Sequence, residues 1–383
     1  MDYDVIILGG GSAGLQAARS IAEIAGQLSV LLIEEDAKVG FPEHCTGLVS
    51  LSGIEKALRL NPEQVAMNYV RGAHIVSPSG FRLTVEKEAR VAAVVDRPLY
   101  EQKLFDIVSR RADVVLGVKA EIDDVSVKIG SKRLRARYLV DARGLRSLVS
   151  RKPDARRWVL PALQYDIQVY SAETDYVYIF LGSKLSHGFF AWAVPLDEER
   201  YRIGVASKGK VLTRIRYLLR RLERLTNGEV RPRALQKVIG GGVYTGGLAE
   251  QVKGNVIYIG DSAGQTKPTT GGGLVYHSTA ALILAKALKA GEPRAYSAGV
   301  KRALGMEISG QRFLRRVLNR IPDGQLDYIL MSVKEIGGEE IISRHGHMDE
   351  QMRVMLNLGW EILRKRPELY LSILRSLFYA IVS

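Results

Sequence analysis

The sequence predicts a mixed α/β fold: a parallel sheet flanked by helices, interrupted by an inserted antiparallel sheet and followed by a helical C-terminal region. Three observations lead there. A buried-strand pattern runs straight into a glycine loop and an amphipathic helix at the start of the chain. A second strand, glycine turn and helix lie near residues 255–289, and between the two units a run of short strands occupies residues 156–240.

Residues 4–8 (DVIIL) are β-branched and aliphatic, the mark of a strand buried on both faces. GGGSAG follows, leading into LQAARSIAEIAG. Gly9 suits the tight turn, Gly11 the close approach of backbone to a pyrophosphate, and Gly14 the close packing of helix on strand. A second buried strand, SVLLI, ends at Glu34, where a ribose hydroxyl is expected to meet an acid. Together these make a Rossmann-like fingerprint for a bound adenine dinucleotide; a glycine-rich surface turn is the alternative.

After a loop carrying Cys45, GAHIVSPSGFRLTVE reads as two strands joined by a Pro-Ser-Gly turn, belonging to a second sheet. VDRPLYEQKLFDIVSRRA predicts a helix with Pro98 in its first turn and Leu99, Leu104, Ile107 and Val108 on its apolar side. YLVDA is a buried strand leading into Arg143 and Gly144. QYDIQVY, DYVYIFLG, FFAWAVPL and RYRIGVA predict a separate antiparallel sheet, followed by a basic helix near 211–225. The chain then returns to the nucleotide fold: Asp261 ends a strand, suited to a ribityl hydroxyl, and Gly271, Gly272 and Gly273 open a helix whose amides suit an anionic ring or phosphate. The expected division is a cofactor domain over 1–70, 96–155 and 240–298, a substrate domain over 71–95 and 156–239, and a helical region over 299–383.

Composition narrows the partners. At 383 residues, with 46% hydrophobic and 25% charged residues, the chain supports substantial cores. Lys and Arg number 55 against 41 Asp and Glu, a net charge of +14 that favours phosphate-bearing partners: nucleotides, nucleic acid or an anionic membrane surface. Nucleic acid is set aside, because the basic residues are dispersed and no zinc-finger spacing, RNA-binding sheet motif or basic tail is present. The runs RIRYLLRRLERL and RFLRRVLNR read as solvated helix faces. One cysteine fits a reducing compartment, and a strand starting at residue 4 leaves no room for a secretory apolar segment. The apolar stretch 367–383, with Arg375 inside it, is short for a membrane span and suits a packed helix or an interfacial anchor. The expected location is cytoplasmic, peripheral at the inner face of the membrane.

The elements, in this order, resemble flavoproteins of the hydroxybenzoate hydroxylase fold, and within them the geranylgeranyl reductase family of archaeal lipid synthesis. Beyond the first fingerprint the resemblance rests on Gly40, Pro42 and Cys45; on Arg97, Tyr100, Glu101 and Leu104; on Gly260, Asp261, Pro268 and the triple glycine; and on Gly346, His347, Met348 and Asp349. It implies FAD, held by Gly9, Gly11, Gly14, Glu34, Arg97, Gly260, Asp261 and Gly271 to Gly273. It further implies an isoprenoid lipid substrate whose prenyl double bonds are reduced, and an electron donor such as ferredoxin, NADPH or another small reductant. Two departures stand out. The family's YxWxFP becomes Phe190, Trp192, Val194 and Pro195 at the positions expected to meet substrate, and an Ala-Asp-Gly turn becomes Ala142, Arg143 and Gly144.

An isolated alkene has no carbonyl to stabilise charge, so its reduction needs a hydride at one carbon and a proton at the other. Cys45, in the loop that resembles the flavin-side loop, is the candidate acid, and His44 the second candidate. A free cysteine is also commonly a small buried packing residue. Three rivals share the pattern: a monooxygenase or halogenase of the same fold, to which FFAWAVP is also close; a lycopene-type cyclase, suggested by VDARG; and a non-catalytic flavin-binding protein at a membrane.

Overall fold

The computed structural model describes residues 1–123, 126–170, 173–365 and 367–368. Its centre is a sheet in which Val256–Tyr258, Lys132–Asp141, Tyr3–Leu8, Val30–Ile33 and Asp113–Val115 lie side by side in that order, all parallel. Short antiparallel strands, Val252–Lys253, Glu121–Asp123 and Ser126–Ile129, extend it. The apolar run at residues 5–8 has a simple cause. Val5 and Ile7 face one core, beneath the helices Ser12–Ile24 and Leu274–Lys289, whereas Ile6 and Leu8 face a second, shared with Val127 and Leu139. Burying each such side chain contributes about 1.5–3 kcal/mol.

A seven-stranded sheet runs in the order Arg231–Tyr244, Val159–Tyr170, Arg200–Ala206, Ala191–Pro195, Tyr176–Phe180, Gly72–Val76, Arg82–Glu86. It is antiparallel except where Gly72–Val76 meets Tyr176–Phe180 in parallel. That exception follows from chain order: two strands contributed by distant segments need no hairpin between them. The Pro-Ser-Gly turn and the strands on either side of it are present as expected. The basic helix Val211–Leu225 covers one face of this sheet through Ile215, Leu218 and Leu222. Leu48–Ser50, Ala92–Val95 and Ala66–Val70 form a small third sheet between the two large ones.

The helix Arg97–Val108 is capped by Asp96, whose side chain accepts from the Leu99 amide at 2.9 Å. One residue of its apolar side was misassigned. Leu99 is 40% exposed, and Tyr100 enters the core instead, its hydroxyl accepting from Gln16 Nε2 at 3.1 Å. A phenol carries both an apolar ring and a hydrogen-bonding tip, so it satisfies a buried site that a pure apolar count gives to leucine.

The C-terminal helices Pro293–Leu318, Asp323–Glu335, Gly338–His345 and Gln351–Lys365 follow. The second and third close over the Arg82–Glu86 edge: Asp327 accepts from the Ser79 amide at 2.9 Å, and Glu339 from the Thr84 amide at 2.7 Å. Apart from residues 367 and 368, the apolar stretch 367–383 lies outside the described residues. Among the described residues no helix is long and apolar enough to cross a membrane.

Candidate functional site

A cleft of about 840 Å³ opens at the carboxyl ends of the parallel strands, where Leu8, Ile33 and Asp141 finish. The glycine loop forms its floor. Gly9 has φ +107°, and a Cβ there would lie 2.6 Å from the carbonyl oxygen of Ala142. At Gly14 a Cβ would stand 1.8 Å from the Gly9 carbonyl oxygen, so helix and strand meet with no space for a side chain. Gly11 has nothing within 4 Å of its would-be Cβ, an open approach to backbone amides at a helix N-terminus. Glu34 lies on the cleft wall. Its carboxylate accepts from the Gly10 and Asp36 amides, the latter at 2.8 Å, and each oxygen keeps a second lone pair for a hydroxyl.

Segments remote in sequence supply the rest. Cys45, half-buried, and exposed His44 lie on the cleft wall together with Arg97, Asp261 and Arg143. Arg97 pairs with Glu101, while its Nε is buried without a partner. Burial alone would lower its pKa, but Glu101 and the nearby Cys45 outweigh burial and raise it, so the cation is secure. Burial pushes the Asp261 carboxyl up; neighbouring His277, the Thr266 hydroxyl and Arg97 outweigh it and hold the group below its ordinary value. Thr266 Oγ1 donates to Asp261 at 2.5 Å. Arg143, where an acid was expected from the resemblance, turns back onto buried Asp141, with Nε at 3.1 Å and Nη2 at 2.8 Å.

Gly271, Gly272 and Gly273 precede the helix Leu274–Lys289 as expected but do not line the cleft; the helix sends His277 there instead. His277 Nδ1 lies 3.1 Å from Ser12 Oγ, and Nε2 lies 3.3 Å from Asp261 Oδ1, off the hydrogen-bond axis. The sequence reading passed over His277. Its only signal was a histidine in the first turn after three glycines. Phe190, Trp192 and Pro195 also lie outside the cleft lining. Phe190 and Trp192 pack edge to face at 5.8 Å in a separate apolar cluster with Phe189, Val94 and Leu160. A polar link through Gln164 joins this cluster to the cysteine loop. Gln164 Oε1 accepts from Trp192 Nε1 at 3.3 Å and from Thr46 Oγ1 at 2.6 Å, and Gln164 Nε2 donates to the His44 carbonyl at 3.3 Å.

Sequence reasoning also missed what holds the cysteine loop. Arg202, 2% exposed, donates to Asp166 at 2.7 and 2.9 Å, to Glu43 at 2.5 Å and to the Cys45 carbonyl at 2.9 Å. Burial disfavours its charge, and Asp166 and Glu43 more than restore it. His44 Nδ1 lies 2.7 Å from the Gly240 carbonyl, so it carries the proton and leaves Nε2 as the free nitrogen. The C-terminal Met348 and Asp349 dock beside the triple glycine, where Lys267 pairs with Asp349 and donates to the Met348 carbonyl at 3.0 Å.

A parallel sheet with a glycine loop and Glu34 at its carboxyl edge, joined to a large mostly antiparallel sheet, defines a mixed α/β fold shared with solved flavin-dependent enzymes. The chain belongs to the family described as lycopene cyclase protein, whose model matches residues 4–328. Its curated relatives bear out the resemblance read from the motifs. A digeranylgeranylglycerophospholipid reductase of Methanothrix thermoacetophila is 25% identical over 94% of this chain and 99% of its own. An uncharacterised protein of Methanocaldococcus jannaschii is 27% identical over 95% and 98%. Among solved structures, a geranylgeranyl bacteriochlorophyll reductase-like protein from Thermoplasma acidophilum superposes with a TM-score of 0.79 at 21% identity, covering 98% of this chain and 99% of that one. A variant of the halogenase PltM, solved in complex with FAD, superposes at 0.62 with 11% identity, covering 100% and 96%.

Proposed function

We propose that this protein is an FAD-dependent reductase that saturates prenyl double bonds of an isoprenoid lipid. One observation carries the reading: Gly11, Glu34, Cys45, Arg97 and Asp261, from five separate segments, line one cleft at the carboxyl edge of the parallel sheet. The residues fit the cofactor. Open space over Gly11, the free lone pairs of Glu34 and the unpartnered Nε of Arg97 are what a dinucleotide's phosphates, ribose and ring edge require. Gly9, Gly11 and Gly14 would hold the pyrophosphate, Glu34 the ribose and Asp261 the ribityl chain, with Gly260 allowing the turn before it at φ +73°. Gly271 to Gly273 would act through the helix they start. When bound and reduced, FAD supplies the hydride for one alkene carbon.

Cys45 would hold the proton for the other carbon at Sγ, Arg202 fixes the loop that carries it, and His44, when protonated at both ring nitrogens, would be the second proton source. The apolar cluster of Phe190 and Trp192, with Pro195 at the end of their strand, would receive the prenyl chain, and the small sheet would close it from water. In this division residues 1–70, 96–155 and 240–298 serve the cofactor and 71–95 and 156–239 the substrate. Ferredoxin, NADPH or another small reductant would reload the flavin. The charge of +14 suits attachment to an anionic membrane face on the cytoplasmic side, where such lipids are reached.

The names of the curated relatives support reduction. The family description favours one rival, a lycopene-type cyclase working without net redox change. Mass spectrometry of a digeranylgeranyl lipid incubated anaerobically with dithionite-reduced protein separates the two. A gain of two mass units per double bond supports the reductase. Unchanged mass with altered retention supports the cyclase, and in air a gain of sixteen supports oxygenation.

A further inference from the structure

We propose that His74, Glu173 and Glu229 form a binding site for a divalent transition-metal ion, of the class that zinc represents, on the face of the seven-stranded sheet turned away from the cleft. His74 stands in register beside Tyr178 on one neighbouring strand and Thr84 on the other, so these three side chains share a face. Tyr178 packs in the core beneath the helix Val211–Leu225, whereas Val177, one residue earlier, packs with Trp192 on the opposite face. The site is therefore separated from the cleft by the sheet itself.

The imidazole of His74 is 6% exposed, and its Nε2 has no hydrogen-bond partner. A buried ring nitrogen without a partner calls for a ligand. Its other nitrogen is oriented: Nδ1 lies 2.9 Å from Thr84 Oγ1, and the ring stacks on Tyr176 at 4.6 Å. A hydrogen bond at one nitrogen that turns the other toward the carboxylates is how a metal-binding histidine is held.

Two carboxylates complete the set. One oxygen of each lies with His74 Nε2 in a group whose ligand atoms are all within 4.8 Å of one another; Glu173 Oε2 is 3.6 Å from Nε2. Arg82 neutralises Glu229 through two bonds of 3.0 and 2.8 Å, and Arg71 is committed to Glu86 and Asp175. Among the described residues Glu173 has no ion-pair partner besides His74. One nitrogen and two carboxylate oxygens match zinc or a similar first-row ion, with water in the fourth position.

The test is equilibrium dialysis of the chelator-stripped full-length protein against zinc, followed by metal analysis. The expected result is one zinc per chain that Cys45→Ser retains, with affinity reduced at least about 100-fold in His74→Gln and about 10–100-fold in Thr84→Val, the scale of an outer-shell loss. If His74→Gln does not fold, Glu173→Gln, altered at a side chain 37% exposed, is expected to lose the metal with the fold intact. Zinc that raises the melting temperature of the wild type but not of Glu173→Gln would support the site. No retained zinc, or zinc lost in Cys45→Ser and kept in the His74 and Glu173 variants, would overturn it.

Discussion

The glycine loop at residues 9–14 and the cysteine loop at 40–46 lie in the same cleft, yet different kinds of force hold them. In the first, the constraint is local and steric: a missing Cβ at Gly9 and Gly14 lets loop, helix and the Ala142 turn touch. In the second, position depends on a distant arginine, Arg202, which ties Glu43, Asp166 and the Cys45 carbonyl together inside the protein. A local constraint survives changes elsewhere in the chain. A buried ionic tether fails when any one member is removed.

The contrast breaks most sharply at Gly14. Gly14→Val puts a side chain where the Gly9 carbonyl already stands, so folding of the unit and all flavin binding are expected to be lost, read as FAD released on denaturation per chain. Gly11→Ala sharpens the point, because its Cβ meets no protein atom: the melting temperature of the cofactor-free chain should hold while FAD content falls. Equal loss of stability in both variants would show that the two glycines do not have separate roles.

At the other loop, Arg202→Met strands Asp166 as a buried carboxylate and leaves Glu43 with Lys237 alone. Breaking such a pair costs about 3–5 kcal/mol, measurable by denaturant unfolding. A change below about 1 kcal/mol, the scale of a surface pair, would mean that the tether is not buried in solution.

A smaller effect is expected at Lys267 and Asp349. Burial raises the Asp349 carboxyl, but Lys267 and Ser50 outweigh it and hold its pKa below the ordinary carboxylate value. A depressed carboxylate stabilises the fold above its unfolded pKa, and the gain is lost as pH falls through the folded value. The gap in melting temperature between wild type and Asp349→Asn should therefore be full at neutral pH and close below about pH 4. A gap that persists at lower pH would assign it to packing.

The smallest effect concerns the surface. Attachment to anionic liposomes should weaken with salt, since exposed charges are screened over ~8 Å at physiological ionic strength. Equal flotation with neutral liposomes at high salt would remove charge from the account.

What was legible in the sequence divides along the same line. Gly9, Gly11, Gly14 and Glu34 could be read because strand, loop, helix and second strand follow one another within 34 residues. Asp261 could be placed at the cleft for the same reason, whereas the triple glycine, read as part of the site, precedes its helix without lining the cleft. Arg202 and Gln164 look like ordinary strand residues in RYRIGVA and QYDIQVY, and only the pairing of those two strands brings them onto the cysteine loop. Leu99 was misplaced because helical periodicity counts apolarity and not the hydrogen bond available to Tyr100. Phe190, Trp192 and Pro195 were read as a substrate region from the resemblance alone; their position outside the cleft lining and the link of Trp192 through Gln164 emerge from the folded chain.

The central claim is that the cleft reduces an alkene with Cys45 giving the proton, and single-turnover mixing tests it most directly. Protein reduced with dithionite, freed of excess reductant, is mixed without oxygen with a digeranylgeranyl lipid while flavin reoxidation and lipid mass are followed together. The account predicts reoxidation matched by a gain of two mass units per double bond, slowed on the order of 10²-fold in Cys45→Ser, with dithionite reduction of the flavin unchanged. Flavin that stays reduced in the presence of lipid, or a Cys45→Ser protein that saturates the chain at the wild-type rate, would contradict it.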